Sequence, residues 1–254
     1  MQKRNFILGG AVRIGNALLD LTATVMMLIL LFYGAYCLWD NYNINRAAFA
    51  ADGLMRYKPA VQEDGSAPTM EELRTLNDDV CAWITVDNTN IDYPVVQGTD
   101  NMQYVNTSVL GEFSLSGAIF LDSRCAADGS GDYLLLYGHH MDSGAMFGDI
   151  VKFLEQEYFD EHPSGTLTLC DGTVYGITFF ACCAVDAADP VLYRPDSGAG
   201  LERLMARIAQ TAVCQREITG TPERVIGLST CLEAETNGRA VLFGCLEPLT
   251  GSDT

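Results

Sequence analysis

The chain has 254 residues, enough for one sizeable domain with additions. It is 48% hydrophobic and 19% charged, which suits a packed core and excludes a disordered chain. The net charge is −18 and no basic stripe follows the first residues, so nucleic acid is excluded as a partner.

At the head of the chain, Lys3, Arg4 and Arg13 precede Leu21–Trp39, which has 19 residues and no charge. A helix needs about 20 residues to cross the hydrocarbon layer. Tyr33, Tyr36 and Trp39 lie towards its far end, where amphipathic rings favour the interface. A cleaved signal peptide would have a shorter apolar region, with small residues close behind it. Here the small residues at 47–51 lie well past the span, so an uncleaved anchor is predicted. Residues 1–16 form a cytoplasmic N-terminus, 17–39 the membrane span, and the rest lies outside, because the basic residues come first. Beyond residue 20, 12 Lys and Arg stand against 32 Asp and Glu, a net −20 that anionic surfaces repel.

Residues 40–76 read as an N-terminal helical region and linker. Asn41–Tyr57 is expected to be helical and Pro59–Pro68 a linker, after which Thr69 caps a short helix with Glu72 at the capping-box position. One domain spans 77–250. It begins with "VCAWITVDNTNIDYPVVQ", two β-rich runs about Asp87–Asn90. "GAIFLD" (117–122) and "YLLLY" (133–137) follow. "TLTLCDGTVYGITFFACCAV" reads as a hairpin about Asp171-Gly172. "RVIGLSTCL" and "RAVLFGCL" are the last two runs. Helical spacing is expected over Phe147–Tyr158 and over Leu201–Ile208. Few long helical crossovers separate the strands, so antiparallel pairing is expected, in a closed barrel or a sandwich.

Nine cysteines occur, with no C-x-x-C. An exported domain could pair some of them, but Cys170, Cys182 and Cys245 sit in apolar runs and read as small buried hydrophobes. There are three histidines. His162, before Pro163, reads as a helix C-terminal residue. His139 and His140 follow a strand and Gly138, a position that presents side chains at the strand's mouth. Adjacent histidines rarely hold one ion together and no zinc spacing accompanies them, so no metal or other cofactor is expected. Cys231 also ends a strand run, and Arg239 comes eight residues later across a turn. If the two runs pair, Arg239 returns beside the thiol, where it favours the thiolate and offers donors to an oxyanion. Alternatively, Arg239 is a surface partner of Glu233 or Glu235, worth little if exposed. Ser229 has no G-x-S-x-G elbow around it.

Taken together, "YGHHM" with Met146-Phe147 after it, "LSTC", and an arginine eight residues on resemble the sortases. "NIDYPVVQGTDNMQYV" and "GAIFLD" resemble class B in particular, and the likeness runs from about Asn77 to Leu246. The usual signature before the cysteine is Thr-Leu-x-Thr-Cys; here its first position is Gly227. The resemblance implies a mostly β protein: a closed eight-stranded barrel with two or more flanking helices behind the N-terminal anchor helix. It implies a cysteine transpeptidase with Cys231 as nucleophile, His139 as acid and base (His140 if the register slips by one), and Arg239 on the oxyanion. The implied partners are exported proteins with a C-terminal sorting motif and an amine of cell-wall peptide or pilin. Specificity is expected from the connection Asp186–Pro222. An anchored endopeptidase using water, or an exported binding domain without catalysis, are the alternatives.

Overall fold

The computed structural model describes residues 2–48, 52–59, 70–195, 200–218, 220–232 and 237–249. Thr69, the stretch 60–68, Glu233 and Glu235 lie outside the described residues. The chain divides into two units, Met1–Ile44 and Asn45–Thr254.

The first unit lies in α1 (Gln2–Ala48), one continuous helix. Arg13–Asn43 within it has a mean hydropathy of 2.0 and is long and apolar enough to cross a membrane. Its large side chains, such as Leu30, Phe32 and Leu38, are exposed, so nothing within the unit covers them.

The second unit starts with two short helices, α2 (Asp52–Met55) and α3 (Met70–Leu76), and is otherwise a β-barrel with helical insertions. β1 (Val80–Val86) turns at Asp87–Asn90 into β2 (Asp92–Val96), with Asn88 at φ 60, a left-handed position that asparagine tolerates. β3 (Ile119–Leu121) and β4 (Tyr133–Tyr137) follow. β5 (Ser164–Leu169) and β6 (Val174–Asp186) form the expected hairpin. Gly172 there adopts φ +88 and Asp171 Oδ1 accepts the Thr173 N–H at 2.8 Å, closing the turn locally. After α5 (Gly200–Thr211) come β7 (Ala212–Gln215), β8 (Val225–Cys231) and β9 (Gly238–Pro248).

Eight strands close in the order β5-β1-β2-β3-β4-β8-β9-β6 and back to β5. β7, which the sequence did not reveal, adds to β6 through Ala181–Cys183, beyond the part of β6 that β5 covers. The ring is mixed rather than antiparallel throughout: β2–β3 and β4–β8 run parallel. Both parallel pairs join strands separated by long connections, 97–118 and 138–224, which supply the crossover that parallel neighbours need.

β1, β4, β8 and β9 are buried on both sides, which explains why they read as near-continuous apolar runs, whereas β5 and the first half of β6 alternate, with one face partly exposed. Leu134 and Leu136 of β4, Ile226 and Leu228 of β8, and Leu242 of β9 share the interior with Ile84, Ile119 and Leu167. Tyr133 and Leu135, Val225, and Val241 and Phe243 face the opposite way, under Leu204 and Ile208 of α5. Trp83, Val96 and Phe120 lie with Leu73 of α3 in a third cluster.

The helix expected over Phe147–Tyr158 is instead a 3₁₀ segment, Gly148–Leu154, and a short α4, Gln156–Glu161, separated by extended Glu155. Phe147, Ile150 and Phe153, all fully buried, recur every three residues, the period of a 3₁₀ turn. His162 caps α4 as expected, with Nδ1 2.8 Å from the Tyr158 carbonyl and its ring stacked on Tyr158.

Candidate active site

β8 and β9 pair in antiparallel register from Val225↔Cys245 to Cys231↔Arg239. Alternation along both strands puts Gly227, Ser229 and Cys231 on the face of Val225, and Arg239 on the face of Val241 and Phe243. Cys231 and Arg239 therefore project together from the outer side of the barrel wall, at the end of the last rung, and both are half-buried. Arg239 Nη1 donates to the Gly238 carbonyl at 3.1 Å, and the Leu232 N–H bonds the same carbonyl at 3.0 Å.

β4 brings the histidines to the same end. It runs parallel to β8 with Tyr137 opposite Ser229. The Gly138 N–H donates to the Ser229 carbonyl at 3.1 Å, and Thr230 Oγ1 donates to the Gly138 carbonyl at 3.0 Å. His139 thus leaves the sheet alongside Thr230 and Cys231. Its Nε2 lies 2.8 Å from the Val105 carbonyl. A carbonyl only accepts, so Nε2 carries a hydrogen and Nδ1 is the nitrogen left for proton exchange. His140 is held differently: it bridges to Met146 across its own loop, and Nε2 lies 3.3 Å from Asp142 Oδ1. Gly138 does not owe its place to a left-handed turn, as its φ is not positive. It is required by close approach, since a Cβ there would lie 2.5 Å from Ile119 Cδ1 and 2.7 Å from Phe147 Cγ.

Gly227 has a comparable cause. A Cβ there would meet Tyr133 Oη at 2.9 Å and Phe243 Cε1 at 3.1 Å. Tyr133, whose hydroxyl donates to the Leu192 carbonyl at 3.0 Å, fills the volume that a threonine would take.

Tyr193, from the connection between β6 and α5, was not singled out in the sequence. Its hydroxyl is 2.9 Å from Ser229 Oγ, two residues before Cys231. Burial pushes this phenol up to about 12, while the Ser229 hydrogen bond and the Arg239 charge act against the rise. Among the described residues no group of three His, Cys, Asp or Glu is placed to hold a metal ion. Cys170, expected to be buried, is half-exposed at the start of the β5–β6 turn. A cleft of about 420 Å³ beside α5 is lined by Arg124, Tyr133 and Leu204, and by none of His139, Cys231 or Arg239.

No protein-family model matches the chain. Sortase B of Listeria monocytogenes is 30% identical over 186 residues, covering 70% of this chain and 73% of the relative. Sortase B of Staphylococcus aureus is 27% identical over 179 residues, covering 69% and 73%. Among solved structures, a Streptococcus pyogenes class B sortase involved in pilus biogenesis superposes with a TM-score of 0.65 and 37% identity. That match covers 73% of this chain and all of the other. With this barrel, its added strand and its helical insertion before the last two strands, the chain belongs to the sortases, a family of cysteine transpeptidases, and within them to class B.

Proposed function

We propose that Cys231 is the nucleophile of this transpeptidase, that His139 moves the protons, and that Arg239 holds the oxyanion. The Cys231 thiolate attacks the carbonyl carbon of a sorting motif near the C-terminus of an exported protein. A C–S bond forms, and Arg239 N–H groups receive the charge on oxygen. The C–N bond then breaks as His139 protonates the leaving amine. An amine of cell-wall peptide or pilin attacks the thioester, giving up a proton to His139 and releasing Cys231. A thioester favours amine attack, which suits amide exchange. We further propose that α1 anchors the chain with its N-terminus in the cytoplasm and residues 77–250 outside as the catalytic domain.

The reading rests chiefly on the register that sets Cys231 opposite Arg239 while Gly138 is bonded to Ser229 and Thr230. The test uses the full chain in detergent with a panel of sorting-motif peptides and hydroxylamine, an amine that converts thioesters to hydroxamates. Amine-dependent hydroxamate formation that disappears in Cys231→Ala is expected. Undiminished product from that variant would overturn the assignment, and cleavage indifferent to hydroxylamine would favour the endopeptidase.

A further inference from the structure

Asp122 ends β3's "GAIFLD" run with a fully buried carboxylate, and the mechanism above does not use it. Oδ1 accepts the Arg124 N–H at 3.0 Å and Arg124 Nε at 2.8 Å. Oδ2 accepts Arg124 Nη2 at 2.7 Å, Tyr137 Oη at 2.8 Å and Asn101 Nδ2 at 2.9 Å. A buried charge persists only when paired and hydrogen-bonded in this way, and groups built around one are held rigidly.

Each partner continues towards the site. Arg124 Nη2 also donates to the Tyr193 carbonyl at 2.9 Å. The Tyr137 ring stacks on the Tyr193 ring at 6.3 Å between centroids and 15° between planes. Both the backbone and the ring of Tyr193 are therefore tied to one carboxylate, and Tyr193 Oη meets Ser229 on the strand that ends in Cys231. In a third direction, Asn101 accepts the Ser123 N–H at 2.7 Å, fastening the segment whose Val105 carbonyl holds His139.

We infer that Asp122 is a positioning residue of the transpeptidase: it sets the Tyr193 connection and the 101–105 segment against β8, and so holds the Cys231–His139 pair in its working geometry. This inference rests on the assignment of Cys231 and His139 above. The charge on Asp122, rather than its size, is what fastens Arg124.

The test measures kcat and KM of the full chain in detergent, with the best peptide of the panel and hydroxylamine. Variants are Asp122→Asn, Tyr193→Phe, their double variant and Arg124→Lys, each melted alongside. Misplacing reacting groups by about 1 Å costs on the order of 10²-fold. We expect Asp122→Asn to lower kcat by about 10- to 100-fold well below its melting temperature, with KM changed by less than about threefold. The double variant should be no slower than the slower single, since both act on one chain of contacts. Arg124→Lys leaves the charge pair but cuts the fork to the Tyr193 carbonyl, so it should lower kcat in the same direction; it decides the matter alone if Asp122→Asn does not fold. Should no peptide be turned over, the same variants are compared by the rate of iodoacetamide modification of Cys231, with a change of at least about threefold expected. A folded Asp122→Asn chain, or failing it Arg124→Lys, whose kcat or modification rate matches wild type overturns the inference. Activity retained by Cys231→Ala overturns the underlying assignment instead.

Discussion

Cys231 and Arg239 face each other across the last rung of the β8–β9 ladder, eight positions apart in sequence and directly opposed in the sheet. The proposed chemistry needs this arginine late, when charge has moved to oxygen. Arg239→Ala is expected to lower kcat by about 10²–10³-fold with the melting temperature nearly unchanged. Arg239→Lys should recover only part of the loss, because an ammonium lacks the planar fork. Steady-state kinetics on the two variants check this, and equal rates for Ala and wild type would remove Arg239 from the reaction.

Gly138 joins the barrel to the histidines through contact rather than turn geometry. A methyl group at this position collides with Ile119 and Phe147, both in the core. Gly138→Ala should cost about 1–3 kcal/mol, as other overpacking substitutions do. It should also slow turnover, because His139 is the next residue. Thermal melts and rates together test the pair of effects.

Gly227 stands where relatives of this family usually carry threonine, and Tyr133 occupies the space. Gly227→Thr is therefore expected to destabilise the chain by about 1–3 kcal/mol rather than to improve it. Adding Tyr133→Phe removes the oxygen nearest the new side chain and should relieve part of the loss. Denaturant melts of the two singles and the double would expose a strictly additive result, which this packing does not allow.

Acid should unfold the domain partly through Asp122. Burial alone would raise this carboxyl, but the bonds from Arg124, Tyr137 and Asn101 outweigh it and hold the group below the usual range. A carboxyl lower in the folded than in the unfolded chain stabilises the fold above about pH 4, its unfolded pKa. That contribution drains away as the pH falls through the folded value. Asp122→Asn should melt lower than wild type at pH 7 and lose less on descending below pH 4, as read by melting temperature against pH.

Three buried thiols, Cys81, Cys183 and Cys245, should be inert beside Cys231. Burial pushes Cys81 up to about 12, and Cys183 and Cys245 up to about 11. Only the thiolate reacts appreciably. Brief iodoacetamide treatment of the native chain at pH 8, read by peptide mass spectrometry, should mark half-exposed Cys231 and spare those three. Equal labelling of Cys183 would contradict the packing described for β6.

Local pattern carried much of this protein. A charge-free stretch long enough to span a bilayer, a turn at Asp171-Gly172, and strand runs ending at Gly138 and Cys231 were all visible in the order of residue types, because each depends on neighbours a few positions away. The sortase likeness rested on the same short runs. What the sequence by itself did not determine is what segments far apart in the chain set when they meet on folding. The parallel pairings of β2–β3 and β4–β8 depend on where long connections return. β7 is a four-residue strand whose partners, Ala181–Cys183, lie in β6 on the far side of α5, and no periodicity marks so short a run. Neither Asp122 nor Tyr193 was singled out from the sequence. Only the tertiary structure buried the one, set the other on Ser229, and joined them through Arg124, because a carboxylate's environment is made by the side chains that close around it.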